Sequence, residues 1–130
     1  MDGGHPIHVI ATNDDGTHAA LAEARRLANR TSRRVVILVP QFVSFVQAPA
    51  TPVESLALTE RYRHFADAAG VEAVVRVCVC SRVDDLFRWM LSKGSRIIVG
   101  GRRRRFWPTA EERLAQRLKT LGHEVVFAAA

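Results

Sequence analysis

The sequence predicts an α/β protein whose parallel sheet is covered by helices on both faces. Three observations predict it. Short β-branched runs alternate with segments of helical periodicity in the order β-α-β-α-β-α-β-α-β. The run Val35-Val36-Ile37-Leu38-Val39 is continuously apolar rather than alternating, as a strand covered on both sides requires. The connections are short and no low-complexity linker or internal repeat interrupts them, so residues 1–130 form one domain.

The first strand is expected over 7–12 (Ile-His-Val-Ile-Ala-Thr), with His8 alternating inside it. It stops at Asn13-Asp14-Asp15-Gly16, a dense turn signal. Thr17 is the expected N-cap of a helix whose apolar stripe is Ala20, Ala24, Leu27 and Ala28. The second strand runs over 34–39 and is expected to end at Pro40. Residues 41–52 read as a long binding-type loop with Phe42, Val43 and Phe45 on it. A second helix over 53–69 carries Leu58, Tyr62, Phe65, Ala66 and Ala69 on one stripe and is closed by Gly70. A third strand follows over 71–80. Val83, Leu86, Phe87 and Met90 predict a short helix ended by Gly94. The fourth strand, 96–101, runs into a basic loop over 102–108. Thr109 caps the last helix, with Glu112 as its capping-box partner and Leu114, Leu118 and Leu121 on its apolar stripe. Gly122 ends it before a last strand over 124–127.

Composition excludes several classes. With 48% hydrophobic and 25% charged residues the chain reads as a folded globular protein. No apolar run approaches the roughly 20 residues of a membrane helix. The first residues lack the basic-then-apolar pattern of a signal peptide, which places the chain in the cytoplasm. Two cysteines make no disulfide framework, and Cys78 and Cys80, two apart on a strand, read as core residues. At the strand end, Cys80 is also positioned to line a crevice.

The net charge is +6, and 17 of the 19 basic residues are arginine. Between Arg102 and Lys119 there are seven basic residues against Glu111 and Glu112, which leaves the remainder near neutral. Charge concentrated in this way marks an anion site. In an open parallel sheet ligands bind beyond the carboxyl ends of the strands, at the point where strand order reverses. Two segments carry the chemistry for it: Thr12, Asn13, Asp14, Asp15, Gly16 and Thr17 after the first strand, and Gly100, Gly101, Arg102, Arg103, Arg104 and Arg105 after the fourth. Glycines admit close approach of backbone N–H groups to an anion, and guanidinium groups fork onto phosphate oxygens. A nucleotide phosphate is the expected guest, with the two segments as lips of one cleft. The bland alternative is a solvated arginine loop partly neutralised by Asp14 and Asp15.

The βα alternation, the turn after the first strand and the run Ile-Ile-Val-Gly-Gly-Arg-Arg-Arg-Arg-Phe-Trp at 97–107 resemble universal stress proteins. Within that family the resemblance is greatest to the universal-stress-protein domain of potassium-responsive sensor histidine kinases, in which the fourth strand also runs into glycine, a basic segment and Trp. It spans 7–127. The resemblance implies a Rossmann-like, five-stranded parallel sheet of order 3-2-1-4-5 and a homodimer formed through the C-terminal strand. In one branch it implies ATP binding, with an acidic residue after the first strand, a role open to Asn13 or Asp14. That branch also has a glycine pattern after the fourth strand. Gly100 matches the first glycine of that pattern, whereas Arg103 stands at the second, and Arg113 and Leu114 stand where glycine and Ser or Thr would follow. Arginines would then act as anion donors in place of backbone N–H groups. The ligands this implies are ATP or AMP and, as in some sensor-kinase members, a cyclic dinucleotide.

No catalytic constellation is present. Asp14-Asp15 resembles the acidic pair of phosphorylated receiver domains, but no phosphoacceptor Asp ends the third strand and no Lys follows the fifth. The cysteines and five scattered histidines have no metal-site spacing, and His18 reads as an ordinary helix-start residue. Trp107 beside the arginines reads as a staple under the last helix, since one aromatic is too few for a nucleic-acid stacking platform. The expectation is a non-catalytic regulatory binding module. One alternative is a ligand-free module docking an acidic protein through its arginine loop; another is a slow ATP hydrolase with Mg²⁺ on Asp14 or Asp15. The last strand, apolar and at a sheet edge, invites a second copy.

Overall fold

The computed structural model describes residues 6–31, 33–42, 52–80, 96–103 and 107–130. The described elements run β1 (Ile7–Ile10), α1 (Asp14–Thr31), β2 (Val35–Phe42), α2 (Pro52–Ala68), β3 (Ala73–Cys80), β4 (Arg96–Gly101), α3 (Ala110–Thr120) and β5 (Glu124–Ala129). The helix expected over 83–94, the central part of the loop expected over 41–52, and Arg104 and Arg105 lie outside the described residues, as does the side chain of Cys80.

The sheet is five-stranded and wholly parallel, with strand order β3-β2-β1-β4-β5. β1 is the central strand. Its four residues, Ile-His-Val-Ile, pair with Val35–Leu38 on one side and Arg96–Val99 on the other, and all four are buried, His8 included. Two apolar layers follow from the period-two alternation of strand side chains. Ile7, Val9, Ile37 and Ile98 face Leu21, Ala24 and Leu27 of α1 and Tyr62 and Ala66 of α2. Ile10, Leu38, Ile97 and Val99 face Ala115 and Leu118 of α3, with Cys78 in the same layer. The helices therefore cover both faces of the sheet, and the stripes predicted for α1 and α2 are the ones they bury.

Three details differ from the sequence expectation, each for a local reason. β2 continues through Pro40 to Phe42. Pairing with β1 stops at Leu38 while pairing with β3 continues, so Pro40 sits where the strand is bonded on one side alone and its missing N–H is tolerated. Leu121, expected on the buried stripe of α3, is its C-cap and is exposed. Trp107 is 77% exposed rather than stapled under α3. Thr109 is the N-cap, which puts Pro108 at the staple position and Trp107 one residue too far out; the partner position in the helix is Arg113, which offers no apolar face. The predicted capping box itself is present. Thr109 Oγ1 accepts from the Glu112 N–H at 3.1 Å, and Glu112 Oε1 accepts from the Thr109 N–H at 3.1 Å.

Candidate functional site

The site is built on the start of α1. The segment 13–16, expected as a turn before a Thr17 cap, is the first turn of the helix, and the cap is Asn13. Asn13 Oδ1 accepts from the Gly16 N–H at 2.7 Å, and its carbonyl accepts the first helical bond, from Thr17 N–H, at 2.9 Å. Asn supplies the same side-chain oxygen to a turn and to a cap, so composition alone does not separate the two. Asp14 and Asp15 then fall in the first turn, where carboxylates favour the positive end of the helix dipole. Thr17 is fully buried, and its hydroxyl accepts from the Thr12 N–H at 3.1 Å.

Thr12 ties this turn to the end of β4: its hydroxyl donates to the Gly100 carbonyl at 2.8 Å. Gly16 and Gly100 are buried against each other, backbone to backbone. A Cβ on Gly100 would fall onto the Gly16 carbonyl oxygen and stand 2.7 Å from its carbon. Gly101 is buried beneath the Glu111 side chain. These three glycines, expected to admit an anion, are thus spent on bringing α1, β4 and α3 into contact.

The two predicted lips do meet. Asn13 Nδ2 donates to Glu111 Oε1 at 3.0 Å, and Arg102 stands 3.6 Å from Asp15. Between them opens a cleft of about 690 Å³ beyond the carboxyl ends of β1 and β4, lined by Asn13, Asp14, Asp15, Arg102, Thr109, Glu111 and Arg113 among others. It has the size of a small-molecule site. Its charge is mixed, with three carboxylates and two guanidiniums. Asp14 is already engaged: Arg61 of α2 donates to both its oxygens, at 2.6 and 2.8 Å. The Asp15–Arg102 pair is long and solvent-exposed, so it is weak and open to competition from a ligand anion.

Arg103 does not line the cleft. Its guanidinium lies 4.9 Å from the centroid of the Phe127 ring on β5, a cation–π contact. Glu111, Arg113 and Arg61 were not expected in the site. Arg113 enters because it follows Glu111 by two residues in the first turns of α3, whose N-terminus forms one wall. Arg61 enters from a helix 47 residues away, where only the fold brings it to Asp14. Beyond it, the exposed His18 ring packs at 4.5 Å between centroids on Phe65, and Arg61 sits 5.5 Å over the same Phe65 ring. Burial pushes the neighbouring Tyr62 phenol above its ordinary range, so it remains protonated at neutral pH. Away from the cleft, the Arg26 guanidinium holds the Glu23 carboxyl below its ordinary value. Among the described residues no three His, Cys, Asp or Glu side chains are grouped to hold a metal ion, and no helix is long and apolar enough to cross a membrane.

Comparison with solved structures shows the fold to be that of universal stress proteins. A universal stress protein from Archaeoglobus fulgidus superposes with a TM-score of 0.69 at 14% identity, covering 96% of this chain and 93% of that one. A universal stress protein in complex with cAMP gives 0.64 at 18% identity, with 95% and 96% covered. A universal stress protein family member from Arabidopsis thaliana with AMP bound gives 0.59 at 13%, with 97% and 92% covered. No protein-family model and no curated protein matches the chain in sequence.

Proposed function

We propose that the chain is a non-catalytic regulatory module that holds an adenine nucleotide, or another small phosphate-bearing anion, in the cleft between α1 and α3. One observation carries this reading: Arg102 and Arg113 line the same cleft as the first turn of α1, at the switch point between β1 and β4 where open parallel sheets bind ligands. Structural neighbours hold AMP and cAMP, which supports a nucleoside monophosphate over a longer phosphate chain. With Gly16, Gly100 and Gly101 buried in packing, the two guanidiniums take the place of backbone N–H groups as phosphate donors. A regulatory role fits the resemblance of 97–107 to the sensor-kinase domain.

Calorimetric titration with AMP, cAMP, ATP and a cyclic dinucleotide tests the reading. AMP is expected to bind, and the double variant Arg102→Ala/Arg113→Ala to weaken it by about tenfold or more, as loss of charge-assisted bonds requires. Absence of binding by all four at millimolar concentration, or equal affinity in the variant, contradicts it.

We also propose that β5 pairs with its equivalent in a second copy. It is the free edge next to β4, and Val125, Val126 and Phe127 are only partly buried on it. Sedimentation at tens of micromolar is expected to give twice the chain mass, and Val126→Lys to return it to one. A wild-type mass of one chain refutes the pairing.

A further inference from the structure

The side chains lining the α1–α3 cleft do not by themselves favour an anion. Among the described residues Asp14, Asp15 and Glu111 stand on its walls against Arg102 and Arg113, so the lining carries one negative charge in excess. The N-terminal turns of α1 and α3 border the cleft and offset part of that excess. A phosphate monoester, whose second pKa is about 6, brings close to two negative charges of its own at neutral pH.

Arg61 changes this balance from outside the lining. It belongs to α2, which packs on the same sheet face as α1. Its Nη2 donates to both carboxylate oxygens of Asp14, at 2.6 and 2.8 Å. Both side chains are half-exposed, and an exposed ion pair is ordinarily weak because two mobile side chains must be held for it. Here each partner is held by other contacts. The guanidinium stands 5.5 Å from the centroid of the Phe65 ring and 6.0 Å from that of Tyr62. Tyr62 is buried and Phe65 packs against the core, so these rings form a fixed shelf. Asp14 follows the Asn13 cap in the first turn of α1. The other ion pair at the cleft, Asp15 with Arg102, lies within the lining and leaves its net charge as it is.

We infer that Arg61 is a positioning residue for the ligand phosphate: by neutralising Asp14 it lets the cleft prefer a dianionic phosphate monoester over a monoanionic diester. The inference rests on the nucleotide reading of the same cleft. Arg61 acts through the charge of Asp14 rather than on the ligand. With Arg61 in place the lining is balanced, and Arg102 and Arg113 are left to meet the phosphate oxygens. Without it, the ligand faces an uncompensated Asp14, and the loss grows with the charge that the ligand carries.

Calorimetric titration of the full chain with AMP and with its methyl ester, a diester with one charge less, reads this at about pH 7.5 and about 0.05 M salt, where screening is slight. Arg61→Gln is expected to weaken AMP about threefold, the scale of one exposed charge pair, and the ester by less. Asp14→Asn is expected to tighten AMP, and Arg61→Gln/Asp14→Asn to return the AMP-to-ester ratio to that of wild type. Arg61→Lys keeps the charge and is expected to keep the ratio, even where its melting temperature falls. Where the ester is too weak to titrate, recovery of AMP affinity in the double variant decides. Equal loss of AMP and ester in Arg61→Gln overturns the inference, as does an unchanged AMP affinity. So does an Asp14→Asn variant that weakens AMP as Arg61→Gln does, with no recovery in the double variant, which would mark the pair as a brace between α1 and α2. Wild type that binds neither ligand at millimolar concentration refutes the nucleotide reading itself, and this inference with it.

Discussion

Gly100→Ala is expected to lower unfolding stability by about 3 kcal/mol, at the upper end of what an added methylene costs in a packed interior. The reason is what the new Cβ would strike. The Gly16 carbonyl lies on top of the position, and Ala20 Cβ stands 3.1 Å away. Both belong to the first two turns of α1. The Gly16 carbonyl is backbone, so no rotamer change relieves the contact, and the whole end of the helix must lift from β4. For a chain of this size the loss corresponds to roughly 10 °C in melting temperature. Thr12 would lose its bond to the Gly100 carbonyl in the same movement, and Asn13 its bond to Glu111. Urea unfolding measures the first effect, and AMP titration of the folded variant measures the second. A midpoint within error of wild type would mean that α1 and β4 do not approach as closely as described.

That contact also shows where sequence reasoning stops. β1 and β4 are legible because Ile-His-Val-Ile and Arg-Ile-Ile-Val-Gly-Gly carry their burial in their own composition. The Thr109 cap is legible because all its parts lie within four residues. The meeting of the two lips is legible once the strand order is supplied, since order 3-2-1-4-5 makes β1 and β4 neighbours. The meaning of Gly16 and Gly100 is not. A glycine after a parallel strand serves a phosphate or a neighbouring backbone equally well, and 84 residues separate this pair. Arg61 is hidden for the same reason, because its partner Asp14 lies on another helix. Arg103 was misplaced because neighbouring arginines in a loop look alike until the Phe127 ring claims one of them. Local chemistry therefore announces the walls of the cleft, while the assignment of each charged or small residue to wall, brace or ligand donor is made by tertiary contacts.

Thr17→Val is expected to cost about 1 kcal/mol, at the lower end of the range for stranding an amide, because the Thr12 N–H it leaves unpaired is half-buried. The substitution keeps the side-chain volume of a fully buried residue and removes only the oxygen that accepts from Thr12 N–H. Among the described residues no other group accepts from that amide, since the chain turns there from β1 into α1. Thr17→Ser retains the acceptor and is expected to lose less, because only a methyl group is deleted. Hydrogen exchange reads the bond directly: the Thr12 amide is expected to exchange faster in the Val variant than in wild type or the Ser variant. Thr12 is also the residue that holds β4 through Gly100, so its release loosens the wall of the cleft that carries Asn13, Asp14 and Asp15. Nucleotide affinity should therefore fall with Thr17→Val although Thr17 itself does not line the cleft. A Val variant as stable as wild type, with an unchanged Thr12 amide, would show that the hydroxyl does not brace the site and that the packing of Gly16 on Gly100 alone keeps it in shape.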